Sequence, residues 1–143
     1  MSTLQTRFGE VEYDAKNLLH FREGMIGLPD LHDFIVMPNR KEGPLFWIQS
    51  VDNPDFAFVL TDPTNFFFDY RIVPDSSVKL ALQIEEEDPC FVLTVVTVPP
   101  DQNITINLAA PIFFASKSNR AMQVILDNTN YQIKTPLPNT KKA

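Results

Sequence analysis

Catalytic and metal sites are built from histidine, cysteine and clustered carboxylates, and this chain of 143 residues carries only two histidines and one cysteine. His20 and His32 stand twelve apart, with neither the HxH nor the HExxH spacing that brings two imidazoles onto one metal. Two scattered histidines read as structural or surface residues. Cys90 as a nucleophile needs a base beside it, most often histidine. It opens an apolar run instead, so it reads as a small buried hydrophobe. One cysteine forms no internal disulfide and no cysteine-rich zinc site. Glu85-Glu86-Glu87-Asp88 are neighbours along the chain rather than a facing pair, and read as a solvated loop. No GxGxxG or GxxxxGK[ST] phosphate loop occurs. The close glycine pair in Gly24-Met25-Ile26-Gly27 reads as a turn requiring positive φ at one or both glycines. The residues therefore point to no catalytic group, no metal and no cofactor.

Charge narrows the partners. The net charge is -6, and it is unevenly spread: -2 over residues 1–51, -8 over 52–101 and +4 over 102–143. An acidic surface repels nucleic acid and attracts basic proteins, although solubility alone also accounts for such a bias. With 12 Lys+Arg and no basic stripe interleaved with aromatics, direct nucleic-acid binding is not expected. No stretch reaches the ~18 apolar residues of a membrane helix, and the start lacks the pattern of a secretory signal. The expectation is a cytoplasmic protein that neither enters a membrane nor binds nucleic acid.

The elements that must position these residues are short. Glycine is scarce (4) and proline plentiful (12), and the prolines fall between apolar runs. Candidate strands are Gln5–Phe8, Glu10–Tyr13, Asn17–Phe21, Asp33–Met37, Leu45–Val51, Ala57–Thr61, Arg71–Val73, Cys90–Val98, Ile104–Leu108, Ile112–Ser116, Gln123–Leu126 and Tyr131–Lys134. Many short strands separated by turn signals indicate a sandwich or barrel. Ile104, Ile106 and Leu108 alternate with Thr105 and Asn107, as on a strand with one face buried. Phe91–Val98 is apolar on both faces and reads as a central strand covered on both sides. Asp75–Gln83 suits a short helix capped by Asp75 or Ser76. A strand over Val78–Ile84 competes, since Val78, Leu80, Leu82 and Ile84 alternate. One domain is expected over 1–134, with 135–143 as a flexible tail.

The aromatic residues pose a separate question. Phe66-Phe67-Phe68 are consecutive, and neighbours on an extended chain point to opposite faces. Either both faces are covered, or one phenylalanine meets a partner. Phe113-Phe114 pose the same choice. Trp47, between Phe46 and Ile48, reads as core.

Taken in order, several segments resemble the flagellar assembly factor family (FliW). They are Phe8-Gly9-Glu10-Val11-Glu12, then Leu19-His20-Phe21 with Gly24-Met25-Ile26-Gly27-Leu28-Pro29, and Phe46-Trp47-Ile48-Gln49-Ser50-Val51. Phe56-Ala57-Phe58-Val59 with Asp62-Pro63 follows, then Phe68-Asp69-Tyr70 and Val96-Thr97-Val98-Pro99. Thr105-Ile106-Asn107-Leu108-Ala109-Ala110-Pro111-Ile112 and Gln123-Val124-Ile125-Leu126 complete the match. The resemblance runs from about residue 4 to about residue 137.

The resemblance implies an all-β fold, a compact antiparallel β-barrel-like single domain with at most one or two short helices. It implies no catalytic residue. It implies a regulator that binds flagellin and antagonises the RNA-binding carbon storage regulator CsrA, relieving repression of flagellin translation. On that reading Asp52, Asp55, Asp62, Asp69, Glu85, Glu86 and Glu87 are candidates for contact with the basic regulator. Phe66, Phe67, Phe68 and Tyr70 are candidates for the amphipathic helices of flagellin. The Lys-rich ending Thr140-Lys141-Lys142-Ala143 has no counterpart in the family pattern. A small-ligand or flavin-binding barrel enzyme, and an interaction module in another pathway, are the competing readings.

Overall fold

Eleven strands and one short helix follow each other along the described part of the chain. The computed structural model describes residues 2–6, 9–14, 18–22, 24–38, 45–67, 69, 70, 72–85, 88–97, 104–126 and 131–136. The strands are β1 (Ser2–Thr6), β2 (Gly9–Tyr13), β3 (Leu18–Phe21), β4 (Asp33–Pro38), β5 (Leu45–Ser50), β6 (Ala57–Thr61), β7 (Cys90–Thr97), β8 (Thr105–Ile106), β9 (Ile112–Ala115), β10 (Arg120–Gln123) and β11 (Thr135–Pro136). The helix α1 spans Ser76–Leu82.

Seven strands close on themselves. The order β7-β6-β5-β4-β3-β10-β9 is completed by a second pairing of β9 with β7. Closure removes the exposed edges that an open sheet would present. Every joint is antiparallel except β3 with β10, which run parallel with Arg120 opposite His20 and Ala121 opposite Phe21. The expected antiparallel barrel is the fold observed, and a closed ring of seven strands, an odd number, must contain one parallel joint. β8 and β11 extend the sheet beyond β7, and β1 with β2 forms a separate hairpin.

Period-two alternation fills the barrel. Leu19 and Phe21 on β3 are buried while His20 between them is exposed. Phe21 meets Phe34 edge-to-face with ring centroids 5.2 Å apart, and Ile48, Leu60 and Ile112 complete the centre at 0% exposure. On β5 Gln49 is also fully buried. Its Nε2 lies within 3.1 Å of the carbonyls of Ser50, Pro54 and Phe56, which ties down the β5–β6 turn.

A second cluster lies outside the wall, around Tyr70, Val96, Ile106 and Leu108. A third is made by α1 against β9 and β10, through Val78, Leu82 and Phe113. Phe113 therefore faces the helix while Phe114 packs toward the barrel centre, so both faces of β9 are covered. Trp47 is half-buried.

The helix prevails over the competing strand at 78–84. Asp75 accepts a hydrogen bond from the Val78 N–H at 3.0 Å, as an N-cap does. Val78 and Leu82, one helical turn apart, are buried, whereas Leu80 is 82% exposed, which the alternating reading did not expect. Gln83 in the left-handed region (φ 60) stops the helix, and the Ile84 N–H returns to the Lys79 carbonyl.

Several expected strands differ: the one expected at 5–8 lies earlier, at Ser2–Thr6, and the one expected at 104–108 is shortened to Thr105–Ile106. Ile72 and Val73 join no ladder, because Pro74 and the Asp75 cap begin the helix immediately after them. The strand expected at 123–126 lies earlier, at Arg120–Gln123. Val124 and Leu126 instead donate to the carbonyls of Pro111 and Ala109. The strand expected at 131–134 is replaced by Thr135–Pro136 paired with β8, at the point where a tail was expected to begin. Residues 137–143 lie outside the described residues.

Candidate functional site

The acidic candidates do not form one surface. Asp52 and Asp55 sit in the β5–β6 turn, at the barrel end where β6 begins. Asp62 follows the other end of β6, and Glu85 lies in the segment leading into β7 at that same end. A five-residue strand separates the two groups by about 17 Å.

Two of these aspartates also hold the backbone. Asp52 Oδ2 accepts the N–H groups of His32 at 2.7 Å and Asp33 at 3.0 Å. Asp62 caps the 3-10 turn Pro63–Asn65, accepting from the Thr64 N–H and hydroxyl. All five described candidates (Asp52, Asp55, Asp62, Asp69 and Glu85) are exposed. Glu86 and Glu87 lie outside the described residues.

The aromatic candidates separate as well. Tyr70 is 4% exposed, and its hydroxyl donates to the Leu108 carbonyl at 2.8 Å. Its ring meets Tyr131 edge-on at 4.7 Å. Burial, and then the neighbouring Tyr131, hold its phenol well above the ordinary tyrosine range. Tyr70 is thus a core residue, which corrects its reading as a surface contact: the 63–67 turn folds it inward onto the β7–β8 side of the barrel. Phe66 and Phe67 are half-buried, and Phe67 packs on that same cluster. Phe68 lies outside the described residues.

Among the described residues the exposed phenylalanine ring is that of Phe91, expected from the sequence to lie in a strand covered on both sides. It is 51% exposed. It shares the inward parity of Leu93, but the β6–β7 ladder stops at Thr61 opposite Thr94. Residues 90–93 pair with β9 alone, so Phe91 stands at an open mouth of the barrel. The signal available in the sequence was length: β7 has eight residues and β6 only five, so one end of β7 overhangs. Val73, 77% exposed, stands with Phe91 along a shallow cleft of about 260 Å³ whose rim includes Asp62, Pro63 and Thr64. Cys90 lies in the same cleft. Burial raises its thiol pKa, the Phe114 backbone hydrogen bond and Lys79 opposing this more weakly, which disfavours the thiolate a nucleophile needs.

The histidines have local partners. His20 Nδ1 lies 2.8 Å from Asp33 Oδ1, and His32 Nδ1 donates to the Phe21 carbonyl at 2.8 Å. Their rings stack at 6.0 Å. Among the described residues no group of three His, Cys, Asp or Glu converges as a metal site, and no helix is long and apolar enough to cross a membrane.

These features define a small closed β-barrel domain whose distinctive surface is a mouth with an overhanging phenylalanine beside the Asp62 turn. Comparison with known proteins gives that barrel its family. The FliW family profile matches residues 2–137, and the chain belongs to the FliW family of flagellar assembly factors. It is 59% identical over 136 residues to the flagellar assembly factor FliW of Syntrophotalea carbinolica, covering 95% of this chain and 97% of that one. It is 61% identical over 142 residues to the flagellar assembly factor FliW 2 of Desulfotalea psychrophila, covering 99% and 94%. A crystal structure of the flagellar assembly factor FliW superimposes with a TM-score of 0.88 at 31% identity, over 98% of this chain and 99% of that one.

Proposed function

We propose that this chain is a cytoplasmic, protein-binding post-transcriptional regulator rather than a catalyst. It binds flagellin and antagonises the carbon storage regulator CsrA, so that flagellin translation is relieved once secretion draws flagellin away. The observation that supports this best is the near-full-length match to flagellar assembly factors, which spans both the acidic middle of the chain and the barrel mouth.

The acidic segment supplies a physical route. An RNA-binding regulator presents basic surface to phosphates. A domain carrying -8 over residues 52–101 pairs with that surface and repels RNA from it. All five described carboxylates are exposed; Asp52 and Asp62 also hold backbone N–H groups, so Asp55, Asp69 and Glu85 are the ones to neutralise. For flagellin, the apolar face of an amphipathic helix fits the mouth at Phe91 and Val73, beside Pro63.

The test is the triple variant D55N/D69N/E85Q titrated with purified regulator at two salt concentrations. Weaker binding and a shallower salt dependence are expected. Wild-type affinity with wild-type salt dependence overturns the acidic-docking route.

A further inference from the structure

The parallel joint between β3 and β10 creates a second surface feature, unrelated to the partner surfaces above. In that joint Ala121 and Phe21 are register partners and both are buried. Alternation therefore turns His20, Arg22, Arg120 and Met122 to the outside of the barrel, side by side. The 24–29 loop stands along one side of this strip and the C-terminal end of α1 along the other. Between them lies a cavity of about 400 Å³, within the roughly 300–1,000 Å³ range of small-molecule sites.

Its walls are pre-formed. Gln123 Oε1 accepts the Ile26 N–H at 3.0 Å while its Nε2 donates to the Ala110 carbonyl at 3.1 Å, pinning the loop to β10. Gly24 has φ +73, and a Cβ there would stand 2.5 Å from the Leu28 carbonyl oxygen, so the loop closes only with glycine. The lining is apolar where it is deep: Met25, Leu82 and Ala121 are each 4% exposed or less. Ile26, 47% exposed, stands at the edge.

Among the cavity's described residues the charge is opposite to that of the protein. The chain has 18 Asp+Glu against 12 Lys+Arg. Yet the described residues lining this cavity include Arg22, Arg120 and His20, and no carboxylate. His20 is engaged by Asp33. Neither guanidinium has an ion-pair partner among the described residues. An apolar floor beside two cations in an acidic protein selects an apolar body with an anionic head, because a carboxylate accepts the fixed N–H fork of arginine.

We propose that this cavity binds a small amphipathic carboxylate, its chain against Met25, Leu82 and Met122 and its head on Arg22 and Arg120. The site is separate from the barrel mouth and from the acidic turns, so it stands or falls independently of the function proposed above.

The test uses octanoate, with octylammonium as the probe of equal length and opposite charge. Amide chemical-shift mapping on the full chain is expected to show saturable octanoate shifts confined to residues 24–29, 80–83 and 120–123, and at least tenfold weaker binding of octylammonium. The double variant R22Q/R120Q, at exposed or half-exposed positions, should melt like wild type and bind octanoate at least tenfold more weakly. Absence of saturable shifts, shifts centred elsewhere, equal binding of the two probes, or unchanged octanoate binding by the variant overturns the proposal.

Discussion

Replacing Tyr70 by phenylalanine isolates one hydroxyl at the centre of the second hydrophobic cluster. The ring keeps its contacts with Val96 and Ile106, and its edge-on meeting with Tyr131. What is lost is the 2.8 Å bond to the Leu108 carbonyl, an acceptor on a residue only 4% exposed. Leaving a buried acceptor without its donor costs about 1–3 kcal/mol. A domain of 143 residues has an unfolding entropy of roughly 0.3 kcal/mol/K. The melting temperature should therefore fall by about 3–10 °C at neutral pH.

The gap between the two proteins should then change with pH, with a sign fixed by the burial. The Tyr70 phenol is held above its ordinary value in the folded chain. In the unfolded chain it titrates near its usual value of about 10. Its contribution is fully present below that pH and is lost as pH rises above it, because the unfolded chain releases a proton that the folded chain retains. Y70F has no such group. The difference in stability should be constant from pH 7 to 9 and shrink above pH 10, by at most about 1.4 kcal/mol per pH unit. Thermal or urea unfolding of both proteins at pH 7, 9 and 11 measures this. A gap that stays constant or widens above pH 10 refutes the burial argument. A Y70F protein of unchanged stability that no longer binds flagellin would show Tyr70 to be a surface contact after all.

Three further outcomes are expected. Gly24→Ala should destabilise by more than about 2 kcal/mol, since strained φ adds to a 2.5 Å clash, whereas Gly27→Ala, with nothing within 4 Å of its Cβ, should cost about 1 kcal/mol; paired urea titrations compare them. Phe91→Ser should leave the melting temperature within about 2 °C of wild type and weaken flagellin binding. Phe67→Ser should lower the melting temperature by at least twice as much, because Phe67 packs on the Tyr70 cluster. Native Cys90 should react with a disulfide reagent at pH 8 more slowly than in the unfolded chain, because burial disfavours its thiolate.

The sequence showed the ladders well where hydrophobic period and turn residues agreed. β4, β5, β6 and β9 fall within a residue of their expected bounds because proline, glycine or Asx-containing turns flank each. The helix was legible through its cap, and its rival strand failed only on the exposure of Leu80, which a one-dimensional pattern does not contain. Barrel closure was not legible, since a β7–β9 pairing leaves no local mark. The candidate site was harder still. Tyr70 looks like its phenylalanine neighbours in sequence, and only the fold turns it inward. Phe91 looked covered because its strand is apolar throughout; the unequal lengths of β6 and β7 point to an overhang, and the register places it at residues 90–93. The arginine-lined cavity was invisible for the same reason: Arg22 and Arg120 are ninety-eight residues apart and are brought to one cavity by one parallel joint.

The central claim is that this barrel frees a message by capturing its repressor. Its most direct test is a gel-shift assay with labelled flagellin leader RNA bound to the purified carbon storage regulator, titrated with this protein and then with flagellin. The account predicts that the protein releases the RNA and that added flagellin restores the complex. RNA that stays bound at saturating protein would contradict it.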